Sequence, residues 1–426
     1  MDKQKENKRA KMESEFDVKD IIVIDNGADT VKIGISGEDK PRVNIFKYLN
    51  ALIQMHELVQ FNDQSIQKMQ IIIDSIGGEP KLGVNDEATN QKPQCLFGQQ
   101  LQQAKIEKKF ELEEKFPIQN GKIVDFDAIR DLYTYALEKL LQVNEISSCN
   151  LLIIDSPLNP KNYKHKLAEI LFDDMKVNSV LFQNSSSLSL FSTGETTGLV
   201  VESGHSLTTC IPVFEGFAIP HAFQHSYLAG QKMTEILKEE LKIPAGQLDD
   251  NVFKDIKERM CYVARDYYVD VNGPTLLSLE EKSYELPDGS ILEINNSQRY
   301  KPTEIIFNPS IIGDDSMSIP EMMIDTLHRC DVEFQEELYR NIVLCGGSSL
   351  FKGFLPRIEK ELLNEVTNTI NRKDINFVQN THRRYSAWIG GSMLGSLSTF
   401  QNLAITKNEY EENPESKMSI IHKKTF

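Results

Sequence analysis

Thr197 to Gly216 reads TGLVVESGHSLTTCIPVFEG, and Asp20 to Gly37 reads DIIVIDNGADTVKIGISG. In each, an apolar, β-rich run meets an acid, one small or polar residue and a glycine, then resumes as a second strand closed by another glycine. A glycine turn between two strands lets backbone N–H groups face a concavity with no Cβ in the way of an anion. An acid at the end of the first strand cannot hold phosphate directly, but it suits the waters of a Mg²⁺ ion. Asp25 is placed for that role, and Lys32, seven positions on, is placed to reach the phosphates as a point charge. One such hairpin is also an ordinary Asn-Gly turn. Two of them, each opening one half of a long chain, point instead to two related domains gripping a nucleotide.

Working outward, FPIQNGKIVDFDAIRDLYTYALEKLL gives turn signals, a short strand and an amphipathic helix with Ile129, Leu132, Tyr133, Ala136 and Leu140 on one face. NLLIIDSPLNPK is an apolar strand ended by Pro157 and Pro160, followed by helix from about Tyr163. Strand, helix, strand, helix predicts parallel pairing and an α/β core. In the second half, SYELPDGSILEI predicts a hairpin about Asp288-Gly289. NIVLCGGSSLFKGF predicts a buried strand running into a small-residue loop and a helix. The loop Gly346-Gly347-Ser348-Ser349 is either a third phosphate contact or a plain strand-to-helix turn. The Gly-Gly-Glu-Pro stretch at 77–80 predicts a break inside a polar, irregular segment.

Composition narrows the function. A chain of 426 residues calls for two or more cores, and a net charge of −16 argues against nucleic acid as a direct partner. The six cysteines lack C-x-x-C spacing and read as reduced intracellular thiols. No uncharged run approaches the ~20 residues of a membrane span, so no membrane association is expected. The stretch 1–19 is charged and reads as a disordered tail, its cluster Lys8, Arg9, Lys11 doubling as a weak nuclear address.

These residues carry a resemblance to the actin family. DNGADTVKIGISGEDKPR resembles its first phosphate loop, and FPIQNGKIVDFDAI, LLIIDSPLNPK, GETTGLVVESGH, PVFEGFAIPHA, LAGQKMTEIL, DIKERMCYVARD, EEKSYELPDG and CGGSSLFKGF follow in family order. RRYSAWIGGSMLGSLSTFQNLAITKNEYEE, closing on IIHKKTF, is closer still. The resemblance runs from about Asp20 to Phe426, except about Val43 to Lys115. It implies an α/β actin-like fold of two related domains, in four subdomains, around a central cleft. The domains expected are 20–192 with 386–426, carrying a divergent outer subdomain at 47–115, and 193–385.

The resemblance further implies ATP or ADP with Mg²⁺ (or Ca²⁺) in that cleft. Asp25, Gly27 and Lys32 would form the first phosphate loop and Gly204 the second, with Asp25 and Glu202 at the cation. Gly230 would lie near the ribose, and Lys257, Glu258, Gly347, Ser348, Phe351 and Arg384 would face the adenosine. A Lys-Glu pair on a helix is otherwise an ordinary solvated pair. Phe191, Leu394, Leu397, Phe400 and Leu403 would line an apolar cleft that takes a partner's amphipathic helix, the bland alternative being ordinary core. Actin and other actin-related proteins are candidate partners.

Several positions depart from the family pattern. Its second hairpin normally reads Asp-Ser-Gly-Asp-Gly, against Glu202-Ser203-Gly204-His205-Ser206 here. Ala28 replaces a serine and Asp29 a glycine in the first. The glutamine that helps position the attacking water aligns with Ser185, unless a two-residue register shift brings in Gln183. The outer loop has no recognisable counterpart in Val43 to Lys115, and Asp314-Asp315 stand where an apolar tip joins strands of the filament. The expectation is therefore an ATP-binding structural or docking subunit of the cytoskeleton or of a multi-subunit complex, with weak or absent hydrolysis, at most a slow ATPase, and poor self-polymerisation. It is placed in the cytoplasm or cytoskeleton, with the nucleus as a second location. The alternative is a divergent true actin whose filaments hydrolyse ATP.

Overall fold

A computed structural model describes residues 20–42, 73–74, 77–80, 96–97, 112–115, 117–160, 162–244, 246–267, 282–365, 374–412 and 417–424. The charged tail 1–19 and most of the divergent segment lie outside the described residues. The chain forms two compact units: one runs to Ser185 and resumes at Trp388, and the other is Ser186–Ala387.

Unit 1 is built on β1 (Ile21–Asn26), β2 (Thr30–Ile35), β3 (Asn150–Asp155) and β4 (Ser179–Asn184), with helices α1 (Phe126–Tyr135) and α2 (Tyr163–Glu169). The sheet order is Ile405–Thr406, β4, β3, β1, β2, Ile73–Asp74. β1 and β2 pair antiparallel, while β1, β3 and β4 run parallel to one another. Parallel neighbours need crossovers, and the segments carrying α1 and α2 supply them. The central strands IIVI and NLLIID are buried along their apolar length, as strands covered on both faces must be. One face packs Ile22, Ile24, Ile33, Leu151, Ile153 and Phe182 against Ile129, Leu132 and Tyr133 of α1 and Leu167 of α2. The other face meets the helix Ser386–Gly395, where Gly391 lets the backbone approach Val23, Leu152 and Ile154. The Trp388 indole of that helix donates to the Val23 carbonyl at 3.2 Å.

Unit 2 repeats the central arrangement. β5 (Gly198–Ser203) and β6 (Thr208–Phe214) form an antiparallel hairpin, and β7 (Ile342–Cys345) lies parallel beside β5. Its core gathers Leu199, Val201, Met233, Met322, Leu344 and Phe354. The helices α3 (Gly230–Leu241) and α4 (Asp250–Met260) pack on one another near the hairpin Lys282–Glu285 and Ile291–Ile294. That hairpin turns at Asp288-Gly289, as its sequence predicts, with Gly289 at φ +81°. The mixed α/β, two-unit architecture is the actin-like fold that the motifs implied.

One expectation is corrected. Gly77–Pro80 is not a break but a strand, paired antiparallel with both Leu96–Phe97 and Leu112–Lys115. Two glycines weaken strand propensity, yet pairing on both edges satisfies the backbone, and Pro80 sits at the strand's end, where a missing N–H matters least. The five described cysteines, Cys149, Cys210, Cys261, Cys330 and Cys345, are free and buried. Burial pushes the Cys149 and Cys330 thiols up to about 11 and Cys261 up to about 12, so they act as small apolar side chains. Among the described residues no helix is long and apolar enough to cross a membrane.

Candidate functional site

The two hairpins place their acids in the same register. Asp25 lies opposite Lys32 and beside Ile154; Glu202 lies opposite Thr209 and beside Cys345. Each unit therefore carries its own loop, following an acid, at the end of a strand flanked by one antiparallel and one parallel neighbour.

In unit 1 the Asp25 carboxylate and the Lys32 ammonium form an ion pair, both largely buried. The next residue, Asn26, is tied to the Tyr133 hydroxyl of α1: its amide donates at 2.7 Å, and the hydroxyl donates back to Oδ1 at 2.9 Å. Gly27 turns the chain, its N–H donating to the Asp25 carbonyl at 3.1 Å, and a Cβ there would run into the Thr30 carbonyl. Ala28 packs its methyl against the core of unit 1, where the family pattern would offer a hydroxyl. Asp29 is half-buried rather than fully in solvent. Behind the loop, burial pushes the Asp155 carboxyl above its usual range, against the opposing pull of Lys164 at 3.3 Å and of hydrogen bonds from Tyr163 and Asn159.

Unit 2 gathers most of the remaining expected residues. The carbonyls of Gly204 and His205 accept from Gly230 N–H at 3.0 Å and Gln231 N–H at 2.6 Å. The second hairpin thus caps α3, whose N-cap residue Ala229 has no side-chain acceptor to offer. The Ser348 hydroxyl also donates to the Gly204 carbonyl, at 2.8 Å. Lys257 is buried and donates to the Gly230 carbonyl at 2.7 Å and to Thr234 Oγ1 at 2.8 Å. It is not the solvated partner of Glu258, which instead meets Arg384 at 3.5 Å.

The Gly346-Gly347 loop hangs from Arg383, whose carbonyl accepts from Gly346 N–H at 2.9 Å and whose guanidinium donates to the Ser349 carbonyl at 3.1 Å. Gly347 is exposed, with open space where a Cβ would stand, as a surface receiving a ligand requires. Phe351 is half-buried between two apolar clusters of this unit. Gly204, Gly230, Lys257 and Ser348 thus form one connected set, reached on one side by Glu258 and Arg384. Glu202 is half-buried at the end of β5, and Ser206 turns inward and is buried.

Sequence reasoning missed four members of these sets: Asn26, Tyr133, Thr234 and Arg383. Only Asn26 leaves a signal in the sequence, because it interrupts the Ile22, Ile24 alternation at a core-facing position.

A polyphosphate suits these loops, each of which is glycine-based and fixed by bonds from outside itself. Among the described residues no three His, Cys, Asp or Glu side chains gather into a metal cage. A cation here would rest on one or two carboxylates together with phosphate and water, the habit of Mg²⁺.

Of the apolar positions, Phe191 ends the helix Ser185–Phe191, while Leu394, Leu397, Phe400 and Leu403 belong to unit 1. Leu397 and Leu403 are 45 % and 38 % exposed. Phe400 is corrected: at 1 % exposure its ring is core, with no face left for a partner helix. Ser185 opens its helix and is buried, and Gln183 is a strand residue in β4.

Comparison with known protein families finds that the model described as Actin matches residues 17–248 and 246–426.

Proposed function

The chain belongs to the actin family, and from that premise we propose that it binds ATP or ADP with Mg²⁺ (or Ca²⁺) and serves as a docking subunit with weak or absent hydrolysis and poor self-polymerisation. The family generally binds nucleotide with a divalent cation. The observation that carries the reading is the connected set at Gly204, Gly230, Lys257 and Ser348, matched in unit 1 by the loop of Asp25, Gly27 and Lys32. Asp25 and Glu202 would hold the cation through oxygen, and Lys32 would exchange Asp25 for phosphate. When bound, the cation offsets phosphate charge.

Weak hydrolysis follows from what stands at the positions that aim water and cation. Ser185 presents a short buried hydroxyl where the family has a glutamine, and Glu202 carries one methylene more than the usual aspartate. Misplacement of a reacting water by a side chain's length lowers rate far more than affinity, because affinity is spread over many contacts.

Poor assembly follows from Asp314 and Asp315. The first is held below the usual carboxyl range, and therefore charged, by the Ser316 side chain and by the Ser316 backbone N–H, which donates to it at 2.8 Å; the second is exposed. Charge on that tip opposes burial in a filament contact. Leu397 and Leu403 leave apolar surface for a partner's amphipathic helix. The location that suits this role is the cytoplasm or cytoskeleton.

Two measurements test the reading. Saturating Mg-ATP should raise the melting temperature by mass action. After high-speed centrifugation with Mg-ATP, at concentrations where actin pellets, the protein should stay in the supernatant. No thermal shift, with no nucleotide carried through purification, overturns nucleotide binding; long uniform filaments establish a divergent true actin instead.

A further inference from the structure

In both hairpins the residue after the acid faces the interior of its own unit and is polar. Asn26 and Ser203 hold this equivalent register, one position beyond Asp25 and Glu202. Each is tied down beneath its loop. Ser203 Oγ lies 3.1 Å from Thr208 Oγ1, which donates to the Leu228 carbonyl at 2.8 Å, so the side-chain tie at Ser203 itself runs to its own return strand. Asn26 reaches across 107 positions of chain to Tyr133. The first hairpin is therefore anchored by a helix that is no part of it.

The geometry makes this tie specific. Strand alternation puts Asn26 on the face of Ile22 and Ile24, where an apolar side chain would be ordinary. An amide in that position is costly unless its groups are bonded. The Tyr133 hydroxyl meets both amide atoms, at 2.7 and 2.9 Å, which fixes the amide's rotation as well as its place. Tyr133 is itself fully buried on α1, and burial holds its hydroxyl far above the ordinary phenol range, so it remains a donor. Asn26 lies next to Gly27, whose N–H is tied back to the Asp25 carbonyl at 3.1 Å, so the turn starts directly from the anchored residue. Fixing the Asn26 side chain therefore fixes where the following backbone N–H groups point.

We propose that Tyr133 is a positioning residue for phosphate recognition: through Asn26 it sets the backbone of the loop 27–29, so that losing its hydroxyl weakens binding of nucleoside phosphates and spares the nucleoside. The inference rests on the nucleotide-binding reading above. The full-length chain and its Tyr133→Phe variant are titrated calorimetrically with Mg-ATP, Mg-ADP and adenosine, and amide exchange is followed at residues 27–30. The expected result is a loss of about tenfold for ATP and ADP, the scale of one net hydrogen bond, with adenosine held within about twofold and faster exchange in the loop. A general loss of structure would lower all three affinities together. If Tyr133→Phe does not fold, Asn26→Ala removes the amide instead of orphaning it and gives the same readout. An unmodified protein that binds neither ATP nor adenosine overturns both readings. If it binds ATP, equal losses for ATP and adenosine, or unchanged exchange at 27–30, overturn this one alone.

Discussion

The buried ammonium of Lys257 donates to the Gly230 carbonyl 27 positions away, fastening the end of α4 to the start of α3. Lys257→Met keeps most of the stem and removes the donor. Thr234 Oγ1 also donates to that carbonyl, so the site is not wholly orphaned. The expected loss is about 1–3 kcal/mol, read from the midpoint of urea unfolding.

Gly346→Ala should be worse tolerated than its size suggests. Gly346 sits at φ 85° and ψ 155°, a region essentially reserved for glycine, and a Cβ there would run into the Ser203 carbonyl. A fall in stability of at least about 2 kcal/mol is expected, with the melting temperature as the measurement. Gly289→Ala, at φ +81° on an open turn, serves as the control that isolates the collision from the backbone strain.

Arg357 and Glu304 form a buried pair at 2.7 Å, their side chains 6 % and 1 % exposed, with the guanidinium also donating to the Ala264 carbonyl. Removing one charge leaves the other stranded, so Glu304→Gln should cost about 3–5 kcal/mol. Glu361 also binds Arg357, at 2.6 Å, but is a third exposed. Glu361→Gln should therefore cost no more than about 1 kcal/mol in the same denaturation series.

The C-terminal helix Lys417–Lys424 should loosen in acid. The Lys424 ammonium, donating to both Glu409 oxygens, and the Thr406 backbone hold the Glu409 carboxyl below its ordinary 4.5. A carboxyl depressed by folding stabilises fully above its unfolded value, and that contribution disappears as pH falls through the folded value. Amide exchange in 417–424 should rise over that acid range, and Glu409→Gln should remove the pH dependence while raising exchange at neutral pH.

Turnover should respond to restoring the family pattern. The triple variant Ser185→Gln, Glu202→Asp, Asp29→Gly should release phosphate from ATP faster by about 100-fold, the scale of a misplaced reacting group. An unmodified protein that already releases phosphate as fast as actin does would refute the assignment of these positions.

Much of the architecture was legible because its signals are local. The apolar runs at Ile21 and Asn150, the glycine turns at Gly27 and Gly204 and the Asp288-Gly289 hairpin all declare themselves within a dozen residues. The loops' supports were not legible, because Asn26 finds Tyr133, and Gly346 finds Arg383, only once distant segments have packed. Phe400 was misread for a related reason: apolar spacing marks a face without saying whether core or partner covers it. Gly77–Pro80 was misread because composition describes a strand's own propensity and not the two neighbours that pair with it.

Unit 1 is closed by residues that are made only after the whole of the second unit. Trp388, whose indole grips the Val23 carbonyl, follows that residue by 365 positions, and the strand Ile405–Thr406 at the sheet edge comes later still. Ser186–Ala387, in contrast, is one unbroken stretch. On a translating ribosome, at about 5–20 residues per second, the opening hairpin waits roughly 20–70 s for its closing helix. Throughout that interval β1 lacks the cover of the helix Ser386–Gly395, and the second unit, although begun later, is the first to have its whole sequence in hand. A nascent chain arrested shortly after Ala387 would hold one complete unit and one open sheet, and that sheet is the part a chaperone would have to shield.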